Sequence, residues 1–475
     1  MNKYIKRFCT AALSISVLFA AQGCDKYFDV GNNPNQVTNP NINNLLSTAT
    51  HKTGINSRTF ASFSSYYTQY LASPSEGSAT DTYQITDLSG TWNQVYYTMA
   101  DIYDMLKMAE EQEAHLHAGI GKLLMAYNLS LVIDTWNSGP YDEAFMNVES
   151  LYPTYQSGEQ LYGIIGQLIT DGLADLRRSD SKITLNSGLD LIHGGDINAW
   201  IRTGYGLQAR HLNKISKKST YNPTAVLTAL DNSYTSAAHD MKLSVYVGNN
   251  PWASVAISNA GSLLGGWLSS HLIDHLNGTI YGFEDPRVGK ITDKTVDGVY
   301  KGTQNGRGNV GAANTIKDEC YISINSPVTS TTAPIYIMTY EELKFVEAEA
   351  ALRASQAGRA YNAYLEGIRA TMAKLEVPQA DADAYLAHPT VAVGADNLTL
   401  DLIFKEKYVA TYLHFEAWND ARRYDYAYAG FQLPYNAALN TFVRRVAYPV
   451  AEQTRNPDNV PGEEPLSSPL WWDRP

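Results

Sequence analysis

Apolar residues recur at helical spacing along most of the chain. Ile102, Met105, Leu106 and Ala109 share one helical face. So do Ile120, Leu123, Leu124, Tyr127 and Leu131, and again Leu161, Ile164, Ile165, Leu168, Gly172 and Leu173. Comparable patterns predict helices at about 196–216, 223–238, 340–355, 358–374 and 399–424. The connections are short: Gly119 opens one helix, Gly358 sits in a turn and Pro378 lies past an end. Small residues such as Ala348, Ala350 and Ala351 let helices approach closely. Paired helices of this kind suggest tetratricopeptide-like stacking. From about 240 to 337 the pattern changes to Gly, Ser, Asn, Thr and aromatics, with short β-like runs at 321–324 and 335–338. The expected fold is therefore mostly α: tetratricopeptide-like helix pairs over 45–475, with a loop-rich insertion at about 240–337 that carries short β elements. Loops on a rigid scaffold commonly carry binding function.

The first residues read as a targeting segment, not as fold. Lys3, Lys6 and Arg7 precede a short apolar stretch from Ala11 to Ala21, too short to span a bilayer. It ends at Ala21-Gln22-Gly23-Cys24, which resembles a bacterial lipoprotein cleavage site. The expectation is a signal peptide over 1–23, acylation at Cys24, and a tether over 24–44 rich in Asn and Pro. Acylated Cys24 and loss of Cys9 would leave Cys320 as the remaining thiol, with no internal disulfide. Cys320 lies in a strand-like run and reads as a small buried hydrophobe.

Charge narrows the partners. The chain has 48 acidic and 36 basic residues, a net charge of −12, so it lacks the cationic excess of a sequence-independent nucleic-acid binder. The aromatic content is skewed toward rings with a polar edge, with 33 Tyr and 8 Trp against 12 Phe. Such rings suit wet binding surfaces.

Motifs for catalysis or cofactors are weak. Gly306-Arg307-Gly308-Asn309-Val310-Gly311 fits a dinucleotide-binding glycine pattern, but the residues after it make a poor helix and Thr331 stands where an acidic residue belongs. It reads as a flexible loop. His271 and His275 at i and i+4 resemble an inverted zinc-peptidase motif, but Asp274 replaces the required Glu. They read as histidines on a helix surface. Glu341, Glu342, Glu347 and Glu349 share one helix with Lys344 and Arg353 and read as a solvated face, not a glycosidase pair. No catalytic residue, metal site or cofactor is expected.

Five blocks together resemble the SusD/RagB family of outer-membrane nutrient-binding lipoproteins, in its SusD-like branch. Tyr27-Phe28-Asp29-Val30 with Asn33-Pro34-Asn35 comes first, then the segment from Ile133 to Ala144 containing Gly139-Pro140-Tyr141. Asp190-Leu191-Ile192-His193-Gly194-Gly195-Asp196 leads to Trp200 and Arg210. The strongest block runs from Ile337 to Ala350, followed by Tyr364 to Ile368. The last is Glu416-Ala417-Trp418-Asn419-Asp420-Ala421-Arg422-Arg423, with Tyr448-Pro449, Glu452, Asn456 and Asn459 behind it. Glu341, Asp142 and the short loop before Pro140 depart from the family pattern.

The resemblance implies a lipid-anchored protein on the cell surface, at the outer membrane, that caps a SusC-like TonB-dependent transporter and hands it an oligosaccharide without cleaving it. A peptide ligand, as on the RagB side of the family, is the alternative. A surface glycosidase and a scaffold without small ligand are further readings. Glu349 and Arg423 are expected to pair in the helical core, and Trp418 to fill the space between helices. Sugars stack on aromatic faces and hydrogen-bond through their hydroxyls. Loop position therefore selects Tyr66, Tyr67, Tyr70 and Tyr83 in the early Ser/Tyr-rich segment as ligand platforms. Trp252, Trp267 and Tyr281 in the insertion join them, with Asp285 and Arg287 as polar contacts.

Overall fold

The computed structural model describes residues 41–475 except 147–148, 263–264 and 310–317, and the side chains of 259–262. The targeting segment and Cys24 lie outside the described residues. Ile42–Pro475 forms one compact unit.

Helices dominate. α1 spans Ile42–Tyr67, α2 Ser89–Glu111, α3 His115–Trp136 and α4 Gly158–Asp175. α5 spans Ile197–Lys214 and α6 Pro223–Leu230. After the insertion come α10 (Tyr340–Arg353), α11 (Ala357–Lys374), α12 (Gln379–Leu386), α13 (Leu400–Ala410), α14 (Glu416–Arg423) and α15 (Val450–Arg455). Within the insertion lie α7 (Pro251–Ser262), α8 (Ser270–Leu276) and the single turn α9 (Val288–Ile291). Successive helices pack as pairs: α1 on α2, α3 on α4, α5 on α6, α10 on α11. α1 already begins at Ile42, so residues 42–44 belong to the helical unit and not to the tether.

The helix starts follow from local chemistry. Ser157 and Gln160 make a reciprocal capping box at α4, and the Asp196, Asn222, Thr339 and Thr399 side chains accept from the first free amides of α5, α6, α10 and α13. α3 is apolar nearly all round, and that matches its place in the core, between α2, α4, α1 and α5. Two predicted helices end early. The one expected at 223–238 stops at Leu230, in a run of Asp, Asn and Ser. The one expected at 399–424 breaks into α13 and α14, because Leu413 takes a left-handed conformation (φ 60°) that turns the chain between them.

The strands are short and pair in three antiparallel ribbons. β1 (Leu71–Ala72) pairs with β5 (Trp267–Leu268), β2 (Gly139–Pro140) with β3 (Tyr155–Gln156), and β4 (Met241–Leu243) with β6 (Ile335–Met338). β1–β5 ties the early segment to the insertion, and β4–β6 closes the insertion at its base. The run at 321–324 contributes one isolated bridge, Tyr321 to Trp267.

The glutamates of α10 are not a solvated face. Glu341, Glu342 and Glu349 are buried, and each meets a cation brought from another helix. Glu342 takes Arg210 at 2.7 Å, Glu349 takes Arg423 at 2.7 Å, and Glu341 takes Lys374. Glu347 alone of the four stays half-buried, between Lys344 and Arg359. Arg423 also holds Asp420 at 2.7 Å, and Asn213 donates to Glu349 at 2.9 Å. Against the cost of burial, Arg423 holds the Glu349 carboxyl well below the ordinary range. Trp418 is fully buried beside Phe63, Tyr67 and Phe415. Three carboxylates are buried on α10 because the other helices deliver partners, a relation that spacing along α10 cannot express.

His271 and His275 are also buried, against Tyr408 and Phe431, and do not lie on a helix surface. Cys320 is buried too, and burial pushes its thiol up to about 11.

Arg423→Leu removes the cation that Glu349 and Asp420 share in the core, leaving Glu349 with Arg353 alone and Asp420 with Lys407 alone. It should cost ~3–5 kcal/mol in urea unfolding, and adding Glu349→Leu should return part of it. Acid should also destabilise the fold. Burial holds His211, His271 and His414 down to about 3 and His275 well below its usual value, while it raises Asp81 and Asp240 to about 6. Below about pH 6.5 the unfolded chain binds protons that the four histidines refuse, so stability falls with pH; the two aspartates take up protons in the folded state and offset part of this. The histidines outnumber them, so Tm should be several degrees lower at pH 5 than at pH 7 by calorimetry.

Candidate functional site

The two segments singled out as binding loops, the early one and the insertion, meet at one place. Asp81 is the knot. Its carboxylate accepts from the Asn305 side-chain amide at 2.5 Å, the Gly306 amide at 2.7 Å and the Ser73 amide at 3.1 Å. Asn305 also donates to the Leu71 carbonyl at 2.9 Å and accepts from Ser269, the N-cap of α8, at 2.6 Å. Burial raises the Asp81 carboxyl to about 6, and the three donors pull it back down.

A third segment joins them. The Tyr435 amide donates to the Asn305 carbonyl at 2.9 Å and the Ala438 amide to the Thr82 carbonyl at 2.8 Å. The Gly77 amide reaches the Gly306 carbonyl at 3.1 Å, and the Asn309 amide the Pro74 carbonyl at 2.9 Å. The glycines are required by this crossing. A Cβ on Gly306 (φ +83°) would lie 2.1 Å from the Tyr435 carbonyl oxygen, and one on Gly308 (φ +70°) 2.6 Å from the Pro74 carbonyl oxygen. Gly306 and Gly308 therefore pack loops together, and 306–308 is not a loose loop.

This three-loop face is outwardly polar and aromatic. The Arg307 guanidinium lies 3.8 Å from the centre of the Tyr435 ring. Arg307, Gln84, Ile85, Gln432, Leu433 and Asn436 are exposed around it. Beside it runs a cleft of about 620 Å³ between Gln84–Ile85, Leu439 and Glu463–Glu464. A flat stacking unit, exposed amide and guanidinium donors, and carboxylates along a cleft can grip a polyhydroxylated chain by its faces and its edges.

The predicted platforms fare differently. Tyr67, Tyr70, Tyr83, Trp252 and Trp267 are buried, so their faces are taken by protein neighbours and they are core, not platforms. Tyr67 packs between Phe63, Tyr83 and Trp418. Tyr70 donates to the Tyr408 carbonyl, and Trp252 lies under Arg58. Tyr83 closes the wall of the 620 Å³ cleft from inside. Tyr66 is half-buried and packs against the hydrophobic core. Tyr281 is half-buried under the Lys405 ammonium, 4.5 Å away. Asp285 and Arg287 are buried, and Arg287 binds both Asp285 and Glu406 at 2.5 Å, so they are an internal ion cluster and not surface contacts. That cluster supports a second cleft of about 520 Å³, where Phe283 stacks on His388 at 3.9 Å near Tyr300, Glu284 and Asp381.

Arg307 and Tyr435 are the residues that sequence reasoning missed. Gly306-x-Gly308 was the available signal, since tightly turned glycines mark where backbones cross. Nothing local marks Tyr435. Gly306→Ala should cost at least ~2 kcal/mol in urea unfolding, because strained φ and a backbone clash coincide.

Among proteins of known structure, the chain superposes on a SusD/RagB family protein from Bacteroides thetaiotaomicron with a TM-score of 0.75 at 20% identity, covering 92% of this chain and 99% of that one. A chitin-binding SusD homologue from Flavobacterium johnsoniae gives 0.75 at 19% identity, covering 90% and 98%. A SusD homologue from Bacteroides fragilis gives 0.74 at 19%, covering 92% and 100%. No curated protein sequence matches the chain. Residues 33–449 match the SusD-like family profile described as starch-binding and associating with the outer membrane. With that match over most of its length, and with the helix pairs and short strand ribbons of its fold, the chain belongs to the SusD-like family.

Proposed function

We propose that this protein captures an oligosaccharide on the three-loop face and delivers it, uncleaved, to a SusC-like TonB-dependent transporter, while acylated Cys24 holds it at the outer surface of the membrane. The observation that carries the glycan reading is the joining of three loops around Asp81, with Arg307 stacked on Tyr435 and polar side chains exposed beside them. A sugar ring offers C–H faces to Tyr435 and hydroxyls to Arg307, Gln84 and Asn436. The family description and the chitin-binding neighbour support the same ligand class. The paired helices, packed against one another, suit the transporter side.

The test is calorimetric titration of the detergent-solubilised full chain with starch and chitin oligosaccharides and with peptides. Saturable glycan binding should weaken at least tenfold in Arg307→Ala and in Tyr435→Ala. Thermal stability should stay close to that of the parent chain, since surface substitutions change stability by within ~0.5 kcal/mol. Binding to peptides alone would replace this reading with the RagB-like one. New reducing ends after incubation would replace capture with hydrolysis.

A further inference from the structure

A separate cavity lies between α1, β6, α11 and the turn from α13 to α14, and shares no lining residue with either cleft. Arg58, Trp252, Tyr336, Glu341, Tyr412 and His414 give it its chemistry. Its volume is about 40 Å³, where ~10–15 Å³ is enough for one water.

Four polar atoms along this wall make no hydrogen bond within the protein: Arg58 Nε, Glu341 Oε2, Tyr412 Oη and His414 Nδ1. Buried polar atoms are normally satisfied, so four around one small space are a marked exception. Glu341 and Tyr412 are more than nine-tenths buried. The charges balance in sum, Lys374 and Arg58 against Asp240 and Glu341, but both carboxylates that reach a cation reach Lys374. Lys374 is neutralised by Asp240 at 2.6 Å and by the other oxygen of Glu341. Arg58 has no carboxylate at ion-pair distance among the described residues; its guanidinium lies 4.7 Å from the Trp252 ring centre, and burial alone lowers its pKa. Burial keeps His414 neutral, at about 3, so Nδ1 can take part in a hydrogen bond without adding charge.

These groups define a complement. Arg58, with no carboxylate at ion-pair distance among the described residues, can take an anion. Tyr412 can donate to the same anion. Glu341 needs a donor, and a hydroxyl supplies one. We propose that this cavity binds a small hydroxycarboxylate, an acid group flanked by a hydroxyl, with the acid on Arg58 and Tyr412 and the hydroxyl on Glu341. The available space matches those few atoms, and any remaining part of the molecule would lie toward half-buried Arg58 and His414. The chemistry is shared by free hydroxy acids and by sugar acids.

The experiment is titration of the full chain with sodium glucuronate, sodium lactate and glucose, by calorimetry and by thermal shift at fixed ionic strength. Saturable binding of an acid is expected, with glucose silent at the same concentration. Arg58→Met keeps an apolar stem on Trp252 but removes the charge, and should weaken the acid at least tenfold. Tyr412→Phe serves as the second variant, with a several-fold loss and a retained unfolding transition. Binding of glucuronate alone assigns the site to sugar acids; binding of both acids assigns it to the acid end. Arg307→Ala and Tyr435→Ala should leave this binding unchanged, which separates it from capture at the three-loop face. Silence of both acids, equal binding of glucose, or full binding by Arg58→Met overturns the proposal.

Discussion

Burying a charge is tolerable only when a partner is buried with it, and much of this fold is arranged around that constraint. α10 carries three buried carboxylates, and their cations come from α5, α11 and α14. Arg423 takes both Glu349 and Asp420, and Asp420 in turn takes Lys407 of α13 at 2.8 Å. Each ion pair is therefore also a statement about which helices are neighbours and in which register. A helix displaced by one turn would leave at least one charge alone in the core. The neighbouring Arg422 uses a different solution. It donates to the carbonyls of Asp134 at 2.7 Å and Arg444 at 2.8 Å and lies on the Trp418 ring at 3.7 Å, and burial lowers its pKa to about 10. Backbone dipoles and a ring face stand in for a carboxylate there.

The loops follow the same logic on a smaller scale. Asp81 is a buried acceptor surrounded by amide donors from two distant segments, so it sets where the early loop and the insertion cross. Gly306 and Gly308 permit the crossing by leaving no Cβ in the way. Above it, the exposed Arg307 guanidinium lies on the half-buried Tyr435 ring, and neither side chain is used in binding the buried Asp81 carboxylate. A bonded knot beneath and exposed side chains above suit the ligand face proposed for this scaffold.

Legibility in the sequence varied with the range of the interaction. Helix positions were readable, since apolar spacing and N-caps such as Ser157, Thr339 and Thr399 are local. The loop-rich insertion was readable from its composition. The break at Leu413 was not, because the apolar pattern runs through it and the left-handed turn serves packing on both sides. Platforms chosen by loop position failed for a related reason. Tyr70, Tyr83 and Trp267 stand in polar, loop-like surroundings along the chain, yet the segments fold back and bury them.

By itself the sequence determined the helical character, the paired arrangement, the irregular insertion and, through five ordered blocks, the family resemblance. These depend on periodicity and on short motifs, which are written within a few turns of chain. Tertiary structure decided which charges are internal and which tyrosines are core. It also decided that Arg307 and Tyr435, 128 positions apart in the numbering, form one stacked unit. Burial and partnership between distant segments are properties of the packed whole: the same glutamate is a solvated side chain or a buried ion according to which helix lies across from it.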